Sequence, residues 1–107
     1  MLNKELKLKW IEALENGKYK QGRGCLKDNK GNFCCIGVFC DLLDSSKWTE
    51  TIDENMYFYN DKSTYGAMRD ILNINIIMKL ISLNDLEQWS FEKIAGWIEE
   101  NVEAWDE

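Results

Sequence analysis

Phe33-Cys34-Cys35-Ile36-Gly37-Val38-Phe39-Cys40-Asp41-Leu42-Leu43 changes its period part-way along, and that change decides how the chain is read. The first three residues continue a short extended run. From Ile36 the apolar positions Ile36, Phe39, Cys40 and Leu43 follow helical spacing, which predicts a short helix ending near Asp44-Ser45-Ser46. Apolar on nearly every side, such a helix belongs at the centre of a core. The unbroken apolar run, Phe33 to Cys40, is eight residues, against the roughly 20 that a membrane-spanning helix needs.

On the N-terminal side of this stretch, Lys27 to Asn32 is a polar turn. Two short extended runs around Asp28, Asn29 and Gly31 predict a β-hairpin. Before it lies Tyr19-Lys20-Gln21-Gly22-Arg23-Gly24-Cys25-Leu26, and before that an amphipathic helix. Leu2, Leu6, Trp10, Ala13 and Leu14 share one side of that helix, Asn3 is placed to cap it and Gly17 to end it. Leu8 and Ile11 lie off the stripe, which predicts contact on a second side.

On the C-terminal side, Trp48 to Ile52 and Met56 to Tyr59 flank Asp53-Glu54-Asn55 and predict a second hairpin. Ser63 or Thr64 is placed to cap a short helix through Leu72. Ile74 to Leu83 predicts a further helix, stopped by Asn84-Asp85. Last comes Ser90, a capping residue, followed by the stripe Phe91, Ile94, Ala95, Ile98, Val102 and Trp105. Trp97 and Ala104 lie beside that stripe, where they either widen the core contact or meet a second subunit. With 107 residues and 45% hydrophobic side chains, the chain suits one core rather than two. The expected fold is α+β: a single domain over residues 1–107, with N- and C-terminal amphipathic helices packed on short β-hairpins and a central buried helix.

Composition narrows function by exclusion. The chain has no histidine, which removes Ser-His and Cys-His nucleophile pairs and His-ligated zinc. An enzyme built on carboxylates or a thiol is the weaker reading, because no paired acids stand at a useful spacing. Cys25, Cys34, Cys35 and Cys40 lack the paired two-residue gaps of a zinc knuckle. They read as small buried hydrophobes, with one of Cys34 and Cys35 exposed if the pair is extended. No cofactor and no metal is expected. The start of the chain lacks the apolar stretch of a secretory signal, so a cytoplasmic location with reduced thiols is expected.

Charge is unevenly spread. Residues 1–31 carry eight basic and four acidic groups, a net of +4, and the rest carry five basic and fifteen acidic groups, a net of −10. Long DNA or RNA is a poor partner for the acidic majority, while the basic segment suits a small anion. Within it, Lys20, Gln21, Gly22, Arg23 and Gly24 offer a planar guanidinium fork and glycines that let backbone N–H groups approach an anion. The bland alternative is that the glycines shape a turn and Arg23 pairs with a carboxylate. Asn84 and Asp85 either cap local backbone or bind a ribose or base edge, and Tyr57, Tyr59 and Tyr65 either stack on a base or dress a sheet face. The acidic residues Glu99, Glu100 and Glu103 sit where the helix dipole disfavours them. They are either a solubilising terminus or, with Trp97, a surface for a basic host protein or a second subunit.

Four blocks taken together, Tyr19 to Leu26, Phe33 to Leu42, Leu83-Asn84-Asp85 and Ser90 to Glu99, resemble a family of small, uncharacterised phage and prophage proteins. The resemblance implies a viral accessory protein in the host cytoplasm, of the kind that inhibits or evades host machinery. It implies no activity and supplies no catalytic residue. Joined to the basic segment, it leads to the expectation of a non-enzymatic protein that sequesters a phosphate-bearing, nucleotide-like host signal. The competing expectation is an inhibitor that docks on a basic host surface through its acidic C-terminal face.

Overall fold

In the computed structural model, which describes residues 2–50, 56–59 and 71–104, helix α2 (Cys35–Leu43) begins one residue before the period change at Ile36. Cys34 is its N-cap in extended conformation, and the Cys34 Sγ accepts from the Gly37 N–H at 3.4 Å. Every residue from Cys35 to Cys40 is buried, so the helix is central to the core as its composition predicts. The extended reading of Cys34 and Cys35 exposes one thiol, and the structure corrects that. Both are buried, because Cys35 is already helical and its Sγ donates to the Leu80 carbonyl at 3.6 Å.

Helix α1 (Lys4–Glu15) is capped by Asn3, whose Oδ1 accepts from the Leu6 N–H at 2.8 Å. Just past its end, Gly17 takes a positive φ of 77°, the left-handed conformation in which glycine commonly terminates helices. Trp10 is fully buried, and its indole N–H donates to the Cys35 carbonyl at 3.0 Å. The same ring sits 4.7 Å from Phe39, centroid to centroid, tying α1 to α2. Ile11 is buried on the second side of α1, whereas Leu8 is 56% exposed.

The first hairpin joins β2 (Lys27–Asp28) to β3 (Asn32–Phe33), antiparallel with Lys27 opposite Phe33. Its turn is held by Asp28, whose carboxylate accepts from the N–H groups of Lys30 and Asn32 and from the Asn32 side-chain amide. Burial opposes ionisation of Asp28, but those bonds and the Lys30 charge hold its pKa below the usual value. Strand β1 (Lys20–Gln21) lies parallel to β3, Lys20 opposite Asn32. The second predicted hairpin pairs β4 (Trp48–Glu50) with β5 (Met56–Tyr59), its turn being outside the described residues. Sequence treats the hairpins as separate. The structure joins them through β2 and β5 into one sheet of order β1-β3-β2-β5-β4.

Helix α3 (Ile74–Ile81) starts at Asn73 and does not stop at Asn84-Asp85 as the sequence predicts. The path widens into a π turn, Ser82–Leu86, closed by the Glu87 N–H on the Ser82 carbonyl at 3.0 Å. The turn ends at Leu86, one residue beyond Asp85, with Glu87 as its C-cap. The Trp89 N–H reaches back six residues to the Leu83 carbonyl at 2.9 Å and Gln88 takes a φ of 56°, with glutamine in the left-handed position after a helix that is usually given to glycine. Helix α4 (Phe91–Asn101) is capped by Ser90 and buries Phe91, Ile94, Ala95 and Ile98, with Val102 just beyond it. It packs along α1, and Trp97 and Ala104 join the same core as its partly buried margin. The helix predicted between Ser63 and Leu72 falls mainly outside the described residues, as does Trp105.

Candidate functional site

The residues singled out in sequence sort into two places. Asn84, on the π turn, is the one buried polar side chain among the described residues, with no exposed surface. Its Oδ1 accepts from the Gln21 amide at 2.9 Å and the Cys35 N–H at 3.3 Å, while its Nδ2 donates to the Gly22 carbonyl at 2.9 Å and Asp85 Oδ1 at 2.7 Å. Two donors and two acceptor positions exhaust an asparagine amide. Gln21 also donates to the Trp89 carbonyl at 2.7 Å. Arg23 donates to the carbonyls of Asn84 at 3.1 Å and Gln88 at 3.4 Å. Gly22 is needed for the close approach, since a Cβ there would stand 2.9 Å from the Asn32 Cβ.

This cluster is a latch between the β1–β2 loop and the π turn. It corrects two readings. Asn84 has no donor left to offer a ligand, and Arg23 places two of its five N–H groups on backbone carbonyls, where the bland reading pairs it with a carboxylate. Gly24, with a φ of 87°, shapes the exposed loop beyond. Beneath the latch, burial pushes the Cys34 thiol up to about 12, and burial with the nearby Asp28 and Asp85 charges raises that of Cys25. Neither thiol is primed as a nucleophile.

The second place was only partly legible. Lys18, Tyr19, Lys20, Lys30, Gly31, Phe33 and Asp41 line an open groove of about 460 Å³. Lys20 arrives on β1, Lys18 on the segment leading into it and Lys30 on the hairpin turn, and the parallel pairing of β1 with β3 is what brings these segments side by side. Among the described residues none of these three lysines forms an ion pair. The groove wall is stiff. Tyr19 meets Phe33 edge-on at 5.0 Å, Phe33 meets Trp48 at 5.9 Å, and Asp41 on α2 clasps both ends, accepting from the Tyr19 hydroxyl at 2.6 Å and the Trp48 indole N–H at 2.9 Å. Burial, together with the Asp41 hydrogen bond and charge, drives the Tyr19 pKa well above that of a free tyrosine.

Of the other predicted residues, Tyr57 and Tyr59 pair through their backbones with Lys27 and Trp48, and Tyr65 lies outside the described residues. Glu99, Glu100 and Glu103 are all exposed. The dipole conflict at that end of α4 is eased from outside, because the Lys7 ammonium of α1 donates to the Glu99 carbonyl at 3.1 Å. Among the described residues no group of acids and thiols is arranged to hold a metal ion, and no helix is long and apolar enough to cross a membrane.

A family model for a domain of unknown function, DUF8296, matches residues 2–67, more than half of the 107. The chain belongs to the DUF8296 family. No curated protein and no solved structure matches it. The DUF8296 match contains every residue lining the lysine groove, whereas Asn84 and α4 lie beyond it.

Proposed function

We propose that this DUF8296 protein is a non-enzymatic binder of a small phosphate-bearing ligand, and that the ligand sits in the lysine groove rather than on Arg23. The observation that carries the reading is the convergence of Lys18, Lys20 and Lys30 on one groove beside Tyr19 and Phe33. Three like charges gathered on one groove, none of them in an ion pair among the described residues, raise the local positive potential and favour an anion. Lys20 keeps the role expected from sequence, and Gln21, Gly22, Arg23, Asn84 and Asp85 become the frame that fixes the strand bearing it. The resemblance to small phage and prophage proteins supports the wider reading, in which the protein sequesters a host signal to evade defence.

The test is calorimetric titration of the protein with inorganic phosphate at low ionic strength, where screening is weakest. Binding by the native protein and a roughly tenfold or greater loss in the Lys18→Ala/Lys20→Ala/Lys30→Ala variant is the expected result. Absence of binding to the native protein, or equal binding by the variant, overturns the proposal. The acidic face of α4 would then become the leading surface, with a host-protein pull-down as the next experiment.

A further inference from the structure

We infer that Asp41 selects the kind of anion the groove accepts: a monophosphate ester that also carries hydroxyl or amino donors, of which a nucleoside monophosphate is the simplest representative. This rests on the anion-binding reading above and adds the other half of the ligand.

Three observations converge on it. The first is size, since about 460 Å³ falls in the range of roughly 300–1,000 Å³ typical of sites for organic ligands and far exceeds the needs of a bare phosphate. The second is charge. Three ammonium groups and one carboxylate line the groove, a net of +2, which balances a phosphate monoester carrying about −1.5 to −2 near neutral pH but not a triphosphate.

The third is the bonding state of Asp41. Each of its oxygens already accepts one hydrogen bond, from Tyr19 and from Trp48. A carboxylate has about four acceptor positions, so its remaining lone pairs can receive donors and will repel further phosphate. The two existing bonds also hold the carboxylate in place before any ligand arrives, so little ordering is required on binding. A ligand with its phosphate toward the lysines and its hydroxyl or amino groups toward Asp41 satisfies both ends, with Tyr19 and Phe33 beside its apolar face.

The experiment compares inorganic phosphate with adenosine monophosphate by calorimetry, on the native protein and on the Asp41→Asn and Trp48→Phe variants. Adenosine monophosphate is expected to bind the native protein about tenfold more tightly than phosphate, the worth of a hydrogen bond to a charged group. Asp41→Asn should erase that preference. Trp48→Phe, which loosens Asp41 but keeps its charge, should retain it. Equal affinity for the two probes in the native protein overturns the selection by Asp41 and leaves anion binding standing, whereas binding of neither overturns both. Loss of preference in Trp48→Phe to the same degree as in Asp41→Asn assigns it to packing and also overturns the inference.

Discussion

The side-chain amides of Gln21 and Asn84 meet at 2.9 Å across 63 residues of sequence, and the loop that carries the Gln-Gly-Arg-Gly segment is fixed to the π turn through that contact. Asn84 is buried and has every hydrogen-bonding position filled. Its removal leaves the Cys35 N–H and the Gly22 carbonyl without their side-chain partner. Unsatisfied buried groups cost about 1–3 kcal/mol each, so Asn84→Ala should destabilise the domain by about 3–5 kcal/mol in urea unfolding. A double-mutant cycle with Gln21→Ala should show a coupling of about 1 kcal/mol or more. Additive losses would mean that the two amides do not act together.

Arg23 gives the opposite kind of result from the one its sequence context suggests. It is exposed and donates to two carbonyls, so Arg23→Ala should cost about 1 kcal/mol of stability. Phosphate affinity should change by less than about threefold, a reduction in long-range charge alone. A complete loss of phosphate binding with unchanged unfolding would return the site to Arg23.

Helices α1, α2 and α4 were legible because each announces itself locally, through Asn3, the period change at Ile36, and Ser90 with its stripe. The hairpins were legible through Asp28, Gly31 and the aromatic strands. What was not legible depends on partners distant in sequence. Asn84-Asp85 looks like turn chemistry because both residue types usually bond their own backbone, and nothing local reveals that Asn84 faces Gln21, Gly22 and Cys35. The groove was half visible. The basic excess of residues 1–31 pointed to the correct third of the chain, but Lys18 and Lys30 come together only through the pairing of Lys20 with Asn32. That register has no signature within either strand.

Two glycines in helices separate close packing from mere permissiveness. A Cβ on Gly37 would fall on the Leu26 carbonyl oxygen, far inside van der Waals contact, whereas one on Gly96 would meet nothing within 4 Å. Leu26 cannot retreat, because its carbonyl accepts from the Cys34 N–H at 3.1 Å. Gly37→Ala should therefore prevent α2 from seating on the sheet and abolish cooperative unfolding. Gly96→Ala should instead raise stability by about 0.5–1 kcal/mol, the ordinary gain for filling an exposed helix position. Thermal denaturation of the two variants side by side checks both, and a stable Gly37→Ala protein would contradict the placement of α2 against Leu26.

Tyr19 ties the groove to alkaline stability. Its folded-state pKa is raised by burial, and by the hydrogen bond to Asp41 and the charge of that carboxylate, so the folded domain favours the protonated phenol. A raised pKa gives a contribution that is complete below the unfolded value of about 10 and disappears as pH rises through the folded value. Native protein should lose unfolding free energy from about pH 10 upward. Tyr19→Phe has no proton to release and should show a shallower decline over that window, even if it is less stable at neutral pH because Asp41 has lost a donor. Parallel urea titrations at neutral and alkaline pH read the difference directly. Equal slopes in the two proteins would mean that the Tyr19 hydroxyl is not held by Asp41, and the stiff wall assigned to the groove would go with it.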